Sequence, residues 1–141
     1  MGVWYMPPFE LVIPQDLDRA LRHLADWAAD TKILAGGTDL LPSMRQRLFE
    51  PRYLLAVGRL PELRGIDWEA DWVRIGAAET LHAVAEHPQL RQAFPALTEA
   101  AASVAAYNIR SMGTLGGNVC PTRGVTGTTS PTSGGKASGF A

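Results

Sequence analysis

Lys32-Ile33-Leu34-Ala35-Gly36-Gly37-Thr38-Asp39-Leu40-Leu41-Pro42 is the stretch that decides the fold. A short apolar run ends in two glycines, then a threonine, an aspartate and two leucines follow. That order reads as strand, tight turn and helix start. Adjacent glycines reach positive φ without penalty and place no Cβ in the way of a neighbour. Successive N–H groups in such a turn converge into a concavity that suits an anion. Thr38 or Asp39 is expected to cap the following helix, whose first turn also favours negative charge. Gly113-Thr114-Leu115-Gly116-Gly117-Asn118 repeats the theme. One Gly-Gly turn is as often a plain connection as a site. Two of them, each beside a threonine, point to two loops closing on one phosphate-bearing ligand.

The segments on either side fit an α/β layer. Upstream, Phe9 to Ile13 reads as a strand between Pro7-Pro8 and Pro14, and prolines at both ends suit an edge. Asp16 is an N-cap, and Leu17, Ala20, Leu21, Leu24, Ala25 and Ala28 recur with helical spacing along one face. Asp18, Arg19, Arg22, His23 and Asp26 fall on the wet side, so His23 reads as solvated. Downstream, a short helix is expected over Leu40 to Leu48, with Pro42 tolerated in its first turn. Arg52 to Val57 reads as the third strand. From Gly58 the texture changes. Leu63 to Trp68 and Asp71 to Gly76 read as a hairpin in a different sheet. Thr80 caps a helix to Glu86, which His87-Pro88 ends. Pro95 opens a longer helix with Leu97, Ala100, Ala101, Val104 and Ala105 on one face. The pattern sets boundaries at 1–57, 58–121 and 122–141. The last segment is rich in glycine, threonine and serine and is expected to be disordered.

Composition bounds the function. The chain has 141 residues, 46% of them hydrophobic and 19% charged, which is ordinary for a globular protein. Thirteen basic residues stand against 14 acidic ones, so no field recruits nucleic acid or an anionic membrane. No apolar run approaches a membrane span, and no secretory leader is evident. The lone Cys120 fits a reducing compartment, and the expected location is cytoplasmic. His82 and His87 have no acid or cysteine at ligand spacing, so no metal site is expected.

Pro8-Phe9-Glu10, Ala35 to Pro42, Ile75-Gly76-Ala77 with Thr80-Leu81, and Ile109-Arg110 with Gly113 to Asn118 occur in an order that resembles a known family. It is that of the FAD-binding medium subunits of molybdopterin-containing dehydrogenases, the xanthine and carbon monoxide dehydrogenase group. The resemblance covers about residues 6 to 123. Leu115 to Cys120 followed by Thr122-Arg123 is most similar to the β subunit of 4-hydroxybenzoyl-CoA reductase. The resemblance implies an α+β, two-subdomain FAD-binding fold of the vanillyl-alcohol-oxidase type, cut short in its second subdomain. It implies that Ile33, Leu34, Ala35, Gly36, Gly37, Thr38, Asp39 and Leu40 meet the FAD pyrophosphate, chiefly through backbone N–H groups. Thr114, Leu115, Gly116, Gly117 and Asn118 would meet it from the other side, and Ala105 would touch the flavin. It further implies a molybdopterin-binding large subunit and a [2Fe-2S] small subunit as partners. FAD would relay electrons between them and external donors or acceptors, in an enzyme acting on an aromatic acyl-CoA, with no catalytic acid or base in this chain.

Two departures bear on that resemblance. A medium subunit is considerably longer, so the chain reads as an N-terminal fragment expected to hold FAD weakly when isolated. The reductase β subunits also carry cysteines for an extra cluster just after Thr-Arg, where this chain has Gly124. Val125 to Gly135 reads as the product of a frame slip, with a genuine flexible tail as the equal alternative. Two other functions compete: a stand-alone flavin oxidase of the same fold, and a phosphate- or nucleotide-binding module without redox chemistry.

Overall fold

A computed structural model describes residues Tyr5–Cys120. Residues 122–141, with the expected disordered tail and frame slip, lie outside the described residues. The first half is a three-stranded parallel sheet in the order β1-β3-β2, with β1 at Glu10–Val12, β2 at Thr31–Leu34 and β3 at Tyr53–Ala56. Parallel neighbours need crossover connections, and the helices α1 (Leu17–Trp27) and α2 (Leu40–Arg45) supply them. The central strand explains its own sequence. A strand covered on both faces reads as a continuous apolar run, and Tyr53, Leu54 and Leu55 are all buried. Leu55 packs with Ala20 and Leu60, against Leu17 and Leu24 of α1. Leu54 points the other way, into Leu40 and Met44 of α2.

The expected apolar stripe on α1 is narrower in fact. Ala20 is buried and Leu17 and Leu24 pack, whereas Leu21 stays 54% exposed. Asp16 caps the helix as its sequence predicts, accepting a hydrogen bond from the Arg19 N–H. His23 differs from its reading as a solvated residue. Its ring meets Tyr53 edge-on, and its Nε2 lies 3.0 Å from the Thr31 hydroxyl. A residue at the margin of an amphipathic face is pulled inward when an aromatic partner on the sheet receives it. The second helix ends at Arg45, earlier than Leu48, because Arg47 enters the left-handed region at φ 57°. The Arg47 and Leu48 N–H groups turn back to the Met44 and Ser43 carbonyls, which closes the helix end.

From Ile66 a separate two-stranded antiparallel sheet forms, β4 (Ile66–Trp68) and β5 (Val73–Ile75). It packs on helices α3 (Leu81–Glu86), α4 (Pro88–Ala93) and α5 (Pro95–Ser103) around Leu81, Val84, Ala85, Leu90 and Ala101. His87-Pro88 does more than end a helix. Pro88 stands at the first position of α4, and His87 Nδ1 accepts from the Leu90 N–H as its cap. Two short helices follow, α6 (Tyr107–Arg110) and α7 (Leu115–Val119). The second glycine stretch is therefore helical where its composition reads as a turn.

Candidate functional site

The first glycine stretch leaves the carboxyl end of β2. In parallel sheets that end is where ligands are received. Ile33 is half exposed on the strand, whereas the Leu34 and Leu40 side chains pack in the α2 core. Of the expected site residues here, those two offer only their backbone to a ligand. Gly37 lies at φ 75°, a conformation that L side chains rarely adopt. Gly36 does not share that positive φ; its lack of a side chain serves close packing. A Cβ there would lie 2.1 Å from the Met112 carbonyl oxygen. Asp39 takes the N-cap place of α2 but makes no side-chain capping bond. Neither expected cap therefore ties up the first turn. Within the described residues, the N–H groups of Gly36, Gly37, Thr38, Asp39 and Leu40 donate no hydrogen bond.

The second stretch sits directly against the first. A Cβ on Gly113 would lie 3.5 Å from the Thr38 hydroxyl oxygen. Its own amides are committed elsewhere. Leu115 N–H donates to the Glu79 carbonyl and Gly116 N–H to the Ala77 carbonyl, each at 2.8 Å. Gly117 N–H donates to the Thr114 hydroxyl at 3.1 Å, and Asn118 N–H to the Thr114 carbonyl at 3.2 Å. Thr114 is buried and caps α7, yet its hydroxyl accepts that bond and keeps its own proton to donate. The Asn118 side-chain amide reaches the Thr114 carbonyl only at 3.5 Å, a weak contact that leaves it able to turn to a ligand.

What holds α7 is the segment 76–81. Leu81 N–H donates to the Gly113 carbonyl, pairing Thr80 with Thr114 across a short antiparallel bridge. That segment is pinned in turn. Ala78 N–H bonds the Leu63 carbonyl, and the Glu79 carboxylate accepts from the Gly65 N–H at 2.8 Å beside the Arg64 guanidinium. Gly116 rests so close to Ala77 that a Cβ would sit 2.9 Å from its carbonyl oxygen. Glycine here serves backbone packing. The sequence does not mark Met112 or Glu79, and Ala77 stands out only within the family-like segment. Their contribution is through main-chain carbonyls, which no residue type advertises.

Ala105 belongs to neither stretch; it falls past the end of α5, in the link to α6, exposed and at φ 44°. Among the described residues no three His, Cys, Asp or Glu side chains gather as a metal-binding group, and no helix is long and apolar enough to cross a membrane.

A family described as the FAD binding domain in molybdopterin dehydrogenase matches residues 7–132. The chain belongs to that family. Among its relatives, the carbon monoxide dehydrogenase medium chain of Hydrogenophaga pseudoflava is 38% identical over 113 residues, covering 80% of this chain and 39% of the relative. The putative xanthine dehydrogenase FAD-binding subunit XdhB of Escherichia coli K12 is 40% identical over 102 residues, 72% of this chain and 35% of the relative. The solved carbon monoxide dehydrogenase of H. pseudoflava superimposes with a TM-score of 0.78 at 38% identity, covering 82% of this chain and 40% of that one. Quinoline 2-oxidoreductase of Pseudomonas putida 86 does so with a TM-score of 0.77 at 33% identity, over 82% of this chain and 40% of that one. The α+β fold of these FAD-binding chains is thus the fold of this one, and the chain spans less than half the length of each of these relatives.

Proposed function

We propose that this chain binds FAD as part of the medium subunit of a molybdenum-containing oxidoreductase. The observation that carries the reading is the set of amides from Gly36 to Leu40 that donate no hydrogen bond among the described residues, at the carboxyl end of the parallel sheet and backed by Met112 and Gly113. A diphosphate needs several fixed donors and room for close approach, and this turn supplies both. In this reading Ile33 to Leu40 hold the diphosphate through the backbone, while Thr114 and Asn118 add a hydroxyl and an amide. Leu115, Gly116 and Gly117 shape that side of the seat, and Ala105 meets the flavin. The isoalloxazine supplies the redox chemistry; the protein supplies position and electrostatics.

Residues 1–57 and 58–121 are read as the two subdomains that flank the cofactor. Separate apolar clusters on either side support that division, although Leu60 and Leu63 still pack with the first. The partners proposed are a molybdopterin-binding large subunit and a [2Fe-2S] small subunit in the cytoplasm. Relatives named for xanthine and carbon monoxide dehydrogenases support that assembly. An aromatic acyl-CoA substrate rests on the 4-hydroxybenzoyl-CoA reductase resemblance alone. Flavin absorbance of the purified assembly tests the proposal. A flavin that co-purifies with molybdenum and iron supports it, and a colourless protein that binds ADP as tightly as FAD would replace it with a nucleotide-binding module.

A further inference from the structure

Glu79 faces two ways. Its carbonyl accepts the Leu115 N–H of the second glycine stretch at 2.8 Å. Its carboxylate, with the side chain only 13% exposed, accepts the Gly65 N–H at 2.8 Å. The Arg64 Nε stands 3.5 Å from that carboxylate, while Arg64 Nη1 reaches the Ala78 carbonyl at 3.4 Å and the Gly58 carbonyl at 3.3 Å. Gly58 in turn lies against the first glycine stretch. A Cβ there would stand 3.2 Å from the Ala35 carbonyl oxygen, and the neighbouring Val57 N–H donates to the Leu34 carbonyl at 2.9 Å. One guanidinium and one carboxylate thus join the chain that backs the first stretch to the chain that holds the second.

We propose that Arg64 and Glu79 are positioning residues whose ion pair holds α7 at a fixed distance from the first stretch, so that Thr114 and Asn118 reach a diphosphate seated on residues 36–40. This rests on the FAD reading above. The two stretches touch directly at Gly36 with Met112 and at Thr38 with Gly113. Those contacts leave the tilt of α7 to its other side, where Leu115 and Gly116 bond Glu79 and Ala77. A carboxylate that accepts an N–H beside a guanidinium makes a charge-assisted bond, stronger than a neutral one. Without it the Gly65 N–H loses its partner and Arg64 its counter-charge, and the main chain at Glu79 is free to drift with Leu115 attached.

The test titrates FAD into the flavin-depleted assembly carrying Glu79→Ala, alone and together with Asn118→Ala. Glu79→Ala alone is expected to weaken FAD about fivefold, the effect of one lost hydrogen bond to the ligand. On the Asn118→Ala background that loss should shrink to less than about twofold, because the amide that the pair positions is already gone. Amide exchange without ligand is the second readout. Leu115 should exchange about tenfold faster in Glu79→Ala, with Leu54 of the central strand unchanged. Glu79→Gln keeps an oxygen for the Gly65 N–H and should recover most of the affinity. If Glu79→Ala does not fold, Arg64→Ala, a change at a half-exposed side chain, should give an about threefold loss with the same dependence on Asn118. Additive losses in the double variant, or equal acceleration at Leu115 and Leu54 with FAD affinity unchanged, would overturn the proposal. Wild-type assembly that binds no FAD would instead overturn the FAD reading and the ligand part of this proposal, while unchanged Leu115 exchange in Glu79→Ala would overturn its structural part.

Discussion

The two glycine stretches have nearly the same composition, Gly-Gly beside a threonine, and opposite fates for their amides. From Gly36 to Leu40 the N–H groups donate to nothing in the described chain, whereas those of Leu115 to Asn118 all bond within it. In the proposed reading the first stretch is offered to a ligand, whereas the second is zipped to segment 76–81. Glycine plays a different part in each. Gly37 supplies a backbone angle, while Gly36 and Gly116 supply proximity. Two loops that read alike thus divide the work, with donors on one side and support on the other.

The largest expected effect comes from the place where the loops touch. Gly36→Ala puts a methyl 2.1 Å from the Met112 carbonyl oxygen, which is backbone and cannot swing aside. The loops must part, and the variant should lose about 3 kcal/mol of stability in denaturant unfolding together with its flavin. A stable, yellow Gly36→Ala protein would mean that the loops do not depend on each other.

Gly37→Val separates angle from proximity. Its Cβ alone meets the Leu34 and Leu41 side chains at 3.1 Å, which can shift, but the positive φ remains costly for a branched residue. A stability loss of about 1–2 kcal/mol is expected, with flavin retention lost and circular dichroism preserved. Unchanged flavin content would remove this loop from the site.

On the other side of the comparison, Asn118→Ala should leave stability nearly unaltered, because among the described residues its side-chain hydrogen bond is long. FAD affinity, measured by fluorescence titration, should fall by about 1 kcal/mol if the amide turns to the ligand. The smallest effect is a control. Arg47 shares Gly37's left-handed backbone but closes a helix end away from either loop. Arg47→Gly should stabilise by up to about 1 kcal/mol in thermal unfolding and leave flavin content unchanged.

The sequence carried the local features of this molecule well. Asp16 and Thr80 cap their helices, the apolar run at Tyr53 to Leu55 is the buried central strand, and the hairpin from Ile66 to Ile75 forms a second sheet. Those features follow from short-range chemistry. The fate of an amide does not. Gly116 bonds Ala77 and Leu115 bonds Glu79 across long stretches of chain, and no residue type marks a carbonyl that will accept. His23 moved inward for a related reason, since its partner Tyr53 lies on the sheet, far along the chain.

The most direct measurement is amide hydrogen exchange with and without FAD, resolved for residues 36–40 and 115–118. Unbonded amides exchange quickly, whereas bonded ones wait for local opening. The ligand-free protein should therefore exchange rapidly at 36–40 and slowly at 115–118. Saturating FAD should protect 36–40 by at least about tenfold and change 115–118 much less. Protection gained mainly at 115–118, or slow exchange at 36–40 before any ligand is added, would contradict the division between the two loops.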